Sequence, residues 1–405
     1  MAQSMNPLRV LIDHRNFRLF WIGQTLSLIG TWMQQVGQGW LALQLSDSAF
    51  IVGLVSAAGS LPVLMFSLYA GVFIDRMEKL RIVTIAQVLL SIEAAVLWYA
   101  VWSGRINIPL LVGLAGINGL ISAVEIPARQ SLIVELVGRE DVVDAVALNS
   151  GGFNLARIIG PSIAAAVIAS AGLAWCFGIN ALSYIAVIGC LVAIRLPKFI
   201  RVQGRGSPLN EFREGIAYIR SRREVLGLIG VIAIYSIFGF QYLTMMPVIA
   251  RDVLHTNASG YGLLVTFVGI GAVIGALTLA ALSARVRRGR LFMFSALTFA
   301  VLNLLFSMVN DRAVASFVLL FLGLTMLING ALANGILQSV VPDELRGRVM
   351  AAYVFVYVGF TPIGSLLVGA LAGATNVQWA IGAGALIMIV YASIAFWKVP
   401  ELRRV

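Results

Sequence analysis

The chain has 405 residues, of which 60% are hydrophobic and 12% are charged, and its mean hydropathy is +0.93. Soluble domains carry about 25% charged and about 45–50% apolar residues, so this composition excludes an ordinary soluble enzyme and also a disordered chain. The formal net charge of +11 could indicate nucleic-acid binding. The order of the charges along the chain indicates a membrane protein instead, with no nucleic-acid partner.

The residue inventory excludes a disulfide within one helix, a clustered metal site and an ATP-binding loop. The two cysteines, Cys176 and Cys190, would lie about 21 Å apart on one helix, too far for a disulfide, and they are expected as small apolar core residues. With two histidines, His14 and His255, no clustered His/Cys metal site can be built. The phosphate-binding pattern Gly-x-x-x-x-Gly-Lys-Ser/Thr does not occur, so ATP-driven pumping by this chain is not expected. We therefore predict neither an enzyme nor a bound cofactor or metal.

Long stretches with no charged residue, or with a single one (Glu93 in 82–104 and Arg157 in 145–194), predict how often the chain crosses the membrane. A helix needs about 20 apolar residues to span the hydrocarbon core. Eight stretches fit one crossing each and two fit two crossings each, which predicts 12 transmembrane helices in an all-α integral membrane protein. The first stretch is too long for a signal peptide and is counted as a crossing. The single stretches are 19–46, 49–74, 82–104, 106–124, 225–250, 253–284, 291–310 and 313–342, and the double ones are 145–194 and 349–397.

Lys and Arg residues are distributed unevenly between the two sides of such a bundle. With both termini on one side, that side receives 25 of the 29 Lys and Arg residues and the other side receives 3, while Arg157 lies within a helix. Cytoplasmic loops hold the excess of these residues, so we predict cytoplasmic termini. The segment 195–224 would also be cytoplasmic. From Pro208 onward it fits either a helix at the membrane surface or a plain linker.

The predicted crossings repeat after 206 to 209 residues. The same spacing relates Gln130-Ser131-Leu132-Ile133 to Gln338-Ser339-Val340-Val341. This repeat predicts two pseudo-symmetric six-helix halves, residues 1–194 and 225–405, joined by the segment 195–224. Such halves are typical of transporters that bind their substrate between them and expose it to each side in turn.

Several short motifs carry a resemblance to a known family. They are Asn16-Phe17-Arg18-Leu19-Phe20-Trp21, Gly71-Val72-Phe73-Ile74-Asp75-Arg76, Pro127-Ala128-Arg129 and Pro342-Asp343-Glu344-Leu345-Arg346-Gly347-Arg348-Val349. Over essentially its full length the chain resembles the major facilitator superfamily, in the exporter branch that includes the enterobactin exporter and macrolide-type drug efflux proteins.

The resemblance implies a transporter of the bacterial inner membrane that works as a monomer. Its expected activity is export of amphipathic small molecules, such as drugs or siderophores, in exchange for protons. An importer of a small nutrient, or a transporter-like sensor or scaffold, stays open as an alternative.

The resemblance also implies a gate and an antiport motif. The pattern around Gly71, Asp75 and Arg76 resembles the cytoplasmic gate of the superfamily, in which the carboxylate pairs across the two halves, and Arg129 belongs to a related motif. Positive-inside anchoring would explain Arg76 but not Asp75. The segment around Gly160 and Pro161 partly matches the antiporter motif of drug exporters, which favours export.

Charged residues inside the predicted helices are candidates for proton coupling. Ionised groups in hydrocarbon are costly and usually face a cavity or a partner. Glu93 and Glu125 are the candidate proton carriers, with Arg157 as their counter-charge. A fixed structural ion pair is the alternative.

Polar side chains at helical spacing predict the substrate cavity. By the resemblance, helices 1, 4, 7 and 10 line it; interhelical hydrogen bonds are the alternative use of the same groups. The cavity candidates are Gln24, Thr31, Gln34, Gln38, Asn118, Tyr235, Tyr242 and Asn334.

Overall fold

The computed structural model describes residues 8–74, 77–138, 140–196, 208–282 and 287–404, and within these ranges all regular structure is helical. The crossing helices of the first half are α1 (Arg15–Ser46), α2 (Ala49–Ile74), α3 (Lys79–Trp102), α4 (Ile108–Val137), α5 (Val142–Ala171) and α6 (Ala174–Val192). Those of the second half are α7 (Arg223–Val253), α8 (Ala258–Leu282), α9 (Arg288–Ser307), α10 (Arg312–Val340), α11 (Asp343–Gly359 with Thr361–Ala374) and α12 (Val377–Lys398). Shorter helices cover Leu8–Asp13, Pro208–Ser221 and Leu402–Arg404.

Eleven described helices are both long and apolar enough to cross a membrane. Helix α1 is not among them because five glutamines lower its hydropathy, although its 32 residues span about 48 Å. It still belongs to the bundle, because its glycines pack against the antiparallel α6. A Cβ on Gly23 would lie 3.0 Å from Cys190 Cβ, and one on Gly37 would lie 2.9 Å from the Phe177 ring. The predicted all-α membrane fold is confirmed.

Helix boundaries extend beyond the uncharged stretches at one point that concerns function. The sequence placed the fourth crossing at 106–124, but α4 continues to Val137. Glu125 and Arg129 therefore lie inside the helix and are buried or half-buried, rather than at its end. A charge-free stretch underestimates the helix because these two side chains neutralise each other one turn apart.

Two seams join the halves, one between α2 and α11 and the other between α5 and α8. In the first seam Gly53 packs against the carbonyl oxygen of Ser365, and in the second Gly262 packs against that of Pro161. Each seam also has a contact between hydroxyl oxygens, Ser56 with Ser365 at 3.4 Å and Ser162 with Thr266 at 3.0 Å. The two seams thus share two kinds of contact, a glycine against a backbone carbonyl and a pair of hydroxyl groups.

The halves also meet at one end of the bundle, away from the end that carries the basic residues. We call the end with Arg15, Lys79, Arg223, Arg288 and Lys398 the basic end. At the opposite end an ion pair joins α1 to α7, with Arg251 Nη2 2.6 Å from Asp47 Oδ1. Beside it the rings of Trp40 and Tyr261 stack with centroids 6.2 Å apart.

The opening between the halves faces the basic end. On α5, Ser150, Gly151 and Phe153 lie on the basic-end side of the seam and are exposed, whereas Pro161 and Ala165, further along the same helix, are buried. The described contacts between α5 and α8 thus begin near the middle of the bundle.

Candidate functional site

Glu93 lies near the middle of α3 and is 3% exposed. Gln34 Nε2 donates to Glu93 Oε2 at 3.1 Å and to Oε1 at 3.3 Å, and Asn118 Nδ2 donates to Oε2 at 3.1 Å. Within the described residues no Lys or Arg forms an ion pair with it. The carboxyl group is therefore held by neutral amides from α1 and α4.

A second amide shell orients Gln34. Asn180 Nδ2 on α6 donates to Gln34 Oε1 at 2.7 Å, which leaves the Gln34 amino group free to face Glu93. The close approach of α6 depends on Gly30, where a Cβ would lie 2.5 Å from Ser183 Oγ. Small residues allow such interhelical hydrogen bonds. Four helices, α1, α3, α4 and α6, thus converge on one carboxyl group.

Glu125 has a different environment from Glu93. Arg129 Nε lies 2.9 Å from Glu125 Oε1, and Gln87 Nε2 donates to the same oxygen at 3.1 Å. Both partners of the ion pair are largely buried between α3 and α4. The pair is one helical turn apart on α4, nearer the basic end than Glu93.

Arg157 is not the counter-charge of either carboxyl group, which corrects the expectation from the sequence. Its Nε and Nη2 atoms are buried and have no hydrogen-bond partner among the described residues. It faces the second half, where its electrostatic neighbours are the hydroxyls of Tyr242 and Tyr357. Arg129 neutralises Glu125 instead, because it is on the same helix.

A third polar group lies at the breaks in α7 and α11. Helix α7 contains two π-helical turns, Tyr235–Gly239 and Ile249–Val253, and α11 is interrupted at Phe360 before Pro362. Irregular turns leave backbone carbonyls without their usual partners. The buried Gln241 donates to the carbonyls of Ser236 and Thr361, at 3.2 and 3.3 Å, and accepts from Ser365 Oγ at 3.0 Å.

The predicted cavity residues fall into two groups. Gln24, Gln34, Tyr235 and Tyr242 are buried in helix packing. Tyr235, for example, donates to the carbonyl of Ala296, 2.5 Å away. For Gln34 and Tyr235 the expectation of a cavity-lining position is wrong in this structure, because their polar atoms serve interhelical bonds. The half-buried candidates are Thr31, Gln38, Asn118 and Asn334.

The predicted gate is only partly described. Asp75 and Arg76 lie outside the described residues, and of Gly71 only its place in α2 is described. In the antiporter-like segment, Gly160 is buried against Trp32 and the carbonyl of Ile29. The neighbouring Pro161 contacts α8, as described above for the seam.

Sequence reasoning missed several polar residues that the structure brings into contact. Asn180 is the polar residue that anchors Gln34, and its signal was an isolated amide in an otherwise apolar helix. Gln35 was passed over because it lies off the polar stripe; it is exposed in the middle of α1. The Asp47–Arg251 pair joins residues 204 positions apart and has no local signal.

Comparison with known proteins identifies the family of this chain. The family described as transmembrane secretion effector matches residues 2–404. The staphyloferrin A transporter of Staphylococcus aureus is 28% identical over 86% of this chain and 88% of its own length. The enterobactin exporter EntS of Escherichia coli O1:K1 / APEC is 24% identical over 98% and 95%, and the multidrug efflux pump Tap of Mycolicibacterium fortuitum is 25% identical over 90% of each chain.

The solved structures support the same fold. A mutant of the peptide transporter POT, solved in complex with sulfate, superposes with a TM-score of 0.78 over 99% of both chains, at 12% identity. At this identity the likeness concerns the fold alone.

Proposed function

We propose a function for this chain from its family: it belongs to the transmembrane secretion effector family of the major facilitator superfamily. The proposed function is export of an amphipathic small molecule in exchange for protons. Proteins of this superfamily are membrane transporters and not enzymes. The relatives named above are a staphyloferrin A transporter, an enterobactin exporter and a multidrug efflux pump, and these names support siderophore-like or drug-like cargo.

The proposal of proton coupling rests on the environment of Glu93. Burial favours the protonated form of a carboxyl group, whereas amide donors favour the ionised form. Since no cation is paired with Glu93 within the described residues, its protonation depends on the amide donors. Those donors are on α1 and α4, so a movement of either helix against α3 changes the balance and binds or releases a proton.

The proposed direction of transport rests on the exporter and efflux-pump relatives, and the orientation of the bundle is compatible with it. The excess of Lys and Arg at the basic end supports a cytoplasmic position for that end and for both termini, in the bacterial inner membrane. The opening between the halves then faces the cytoplasm, where an exporter takes up its cargo. Asp75 remains the proposed gate carboxylate at this end, with Gly71 and Arg76 as the other residues of the gate motif. The protein is proposed to act as a monomer.

The test is transport by the purified protein in liposomes. Ethidium, erythromycin and 3-hydroxy-2-naphthoate serve as cargo probes, and a pH-sensitive dye follows protons. We expect an imposed proton gradient to accelerate efflux of at least one probe and protons to move the opposite way.

A pair of variants connects this test to the site. Glu93→Gln should lose the dependence on the proton gradient while exchange down a cargo gradient continues. Glu135→Gln, which removes a half-exposed carboxylate paired with Lys79 at the basic end, is the matched control and should behave like the wild type. If the wild-type flux did not change with the proton gradient, proton coupling would be contradicted. If none of the probes were transported, a sensor or scaffold would be favoured instead.

A further inference from the structure

The guanidinium group of Arg157, which forms no ion pair with a described residue, lies where the opening between the halves ends. Arg157 is on α5, at the depth where the contacts of that helix with α8 begin, since Gly269 of α8 packs against the backbone of Arg157 and Ile158. The residues of α5 on the basic-end side, Ser150 and Phe153, are exposed. A molecule entering from the basic end therefore meets Arg157 at the closed end of the opening.

The direction of Arg157 follows from the contacts of its helix. Successive residues of an α-helix are rotated by about 100°. Gly160 packs on α1 and Pro161 on α8, and Arg157 lies between these two faces. Leu155, 45% exposed, lies on nearly the opposite side of α5. The side chain of Arg157 thus points toward the centre of the bundle and not toward lipid.

No described residue compensates the charge of Arg157 through an ion pair or a hydrogen bond. Two of its three guanidinium nitrogens are buried without a hydrogen-bond partner in the described part of the chain. The two interior carboxyl groups are occupied elsewhere, Glu125 by Arg129 and Glu93 by amides. An unpaired cation at this depth is costly, which points to a partner that arrives from outside the chain.

Aromatic side chains form the surroundings of this group. Tyr242 and Tyr357 of the second half are its electrostatic neighbours, and the ring of Phe240 lies 5.3 Å from that of Tyr357. On the first half the rings of Trp32 and Phe153 are 5.9 Å apart. Aromatic walls around one charged group suit a ligand with a flat apolar body and one ionised group.

We infer that Arg157 binds an anionic group, a carboxylate or an acidic phenol, on an aromatic cargo molecule. Of the three guanidinium nitrogens Nη1 is not enclosed, and it can donate a charge-assisted hydrogen bond to such an anion. This inference rests on the proposed function, because it names the chemical class of the cargo. It requires no proton coupling.

The test is equilibrium binding to the purified full chain in detergent, at one pH and without a gradient. The probes are 3-hydroxy-2-naphthoate and its carboxamide, which differ in charge but not in shape. The wild type should bind the acid about tenfold or more tightly than the amide, and Arg157→Gln should remove this preference. Arg157→Lys should recover part of it. Arg105→Gln removes the same charge from an exposed loop at the opposite end and should bind like the wild type.

Thermal unfolding without ligand separates binding from a structural role. Because Arg157 has no hydrogen-bond partner among the residues that the structure describes, Arg157→Gln should unfold at the same or a higher temperature than the wild type. Equal binding of acid and amide by the wild type, or an unchanged preference in Arg157→Gln, would overturn the inference. So would a lower unfolding temperature of that variant with acid binding intact, which would indicate an ion pair within the protein. Binding of the acid through Arg157 in a protein that moves no cargo would instead refute the proposed function alone.

Discussion

The three buried charged sites of the first half are stabilised in three different ways. Glu125 has an arginine one turn away, Glu93 has two amide groups, and Arg157 has no polar partner in the described residues. The second half has no charged residue in its helices away from their ends. Coupling and charge recognition are therefore expected from the first half, with the second supplying aromatic and hydroxyl groups.

Breaking the Glu125–Arg129 pair should be costly at the level of single residues. Glu125→Gln leaves a buried arginine uncompensated, so we expect the free energy of unfolding to fall by about 3–5 kcal/mol. The double variant Glu125→Gln/Arg129→Gln should lose less, because both charges are gone. Unfolding in mixed micelles measures both.

The control for this prediction is the pair of Lys79 and Glu135, whose carboxylate is 32% exposed, against 6% for that of Glu125. Its removal should change the free energy of unfolding by about 0–1 kcal/mol, since solvent screens the charges. If the losses of the two single variants at Glu125 and Arg129 simply added in the double variant, no pairwise interaction would exist between them.

At the scale of helices, close packing at glycines holds the two halves together at one end of the bundle. A Cβ on Gly53 would overlap the carbonyl oxygen of Ser365, a backbone atom that cannot turn away. Gly262 has the same relation to Pro161 in the other seam. These contacts exist only while the halves are together at the opposite end, so they bias the equilibrium between conformations.

The Gly53→Ala variant should open the α2–α11 seam. Overpacking costs about 1–3 kcal/mol, which shifts a two-state equilibrium by about 5- to 150-fold. Spin labels at Ser48 and Thr256 should then show a longer distance, measured in a background without Cys176 and Cys190. Gly113→Ala is the control on α4, because a Cβ there meets no atom within 4 Å and should leave the distance unchanged. An unaltered distance in Gly53→Ala would show that the seam accommodates a methyl group.

At the scale of the whole molecule, alternating access requires the opposite end to open. Joining α1 and α7 there should stop transport. In the same cysteine-free background, the Asp47→Cys/Arg251→Cys pair should crosslink on oxidation, lose transport and recover it on reduction. Either single variant should tolerate the oxidant. Transport that continues at full rate in the crosslinked protein would argue against rocking of the halves.

The orientation of the molecule gives another prediction. A membrane-impermeant maleimide applied to whole cells should label Ser103→Cys, in the loop after α3, and should leave Ser221→Cys, next to the basic end, unlabelled until the membrane is permeabilised. Labelling in the reverse order would place the basic end outside the cytoplasm and would contradict the proposed orientation.

Much of the fold was predictable because the insertion of a helix into lipid depends on the summed hydropathy of about 20 residues and not on any single residue. The number of apolar stretches, the spacing of the repeat and the family motifs predicted an all-α membrane transporter, and the fold and family are confirmed. The fourth charge-free stretch ended at residue 124, but Glu125 and Arg129 have the spacing of one helix face and lie inside α4, where a pair at i and i+4 can remain in the interior. That spacing was visible in the sequence.

Sequence alone determined which residues are polar inside the membrane, but the tertiary structure decided their partners. Glu93, Gln34 and Asn180 come together only when Gly30 brings α6 against α1, and Arg157 faces the opening because of the rotation of α5 between α1 and α8. Hydropathy and charge count depend on composition within one helix, whereas a hydrogen bond between helices depends on the rotation and separation of two. For that reason the sequence specified the bundle, and the packing of its glycines specified which charges are paired.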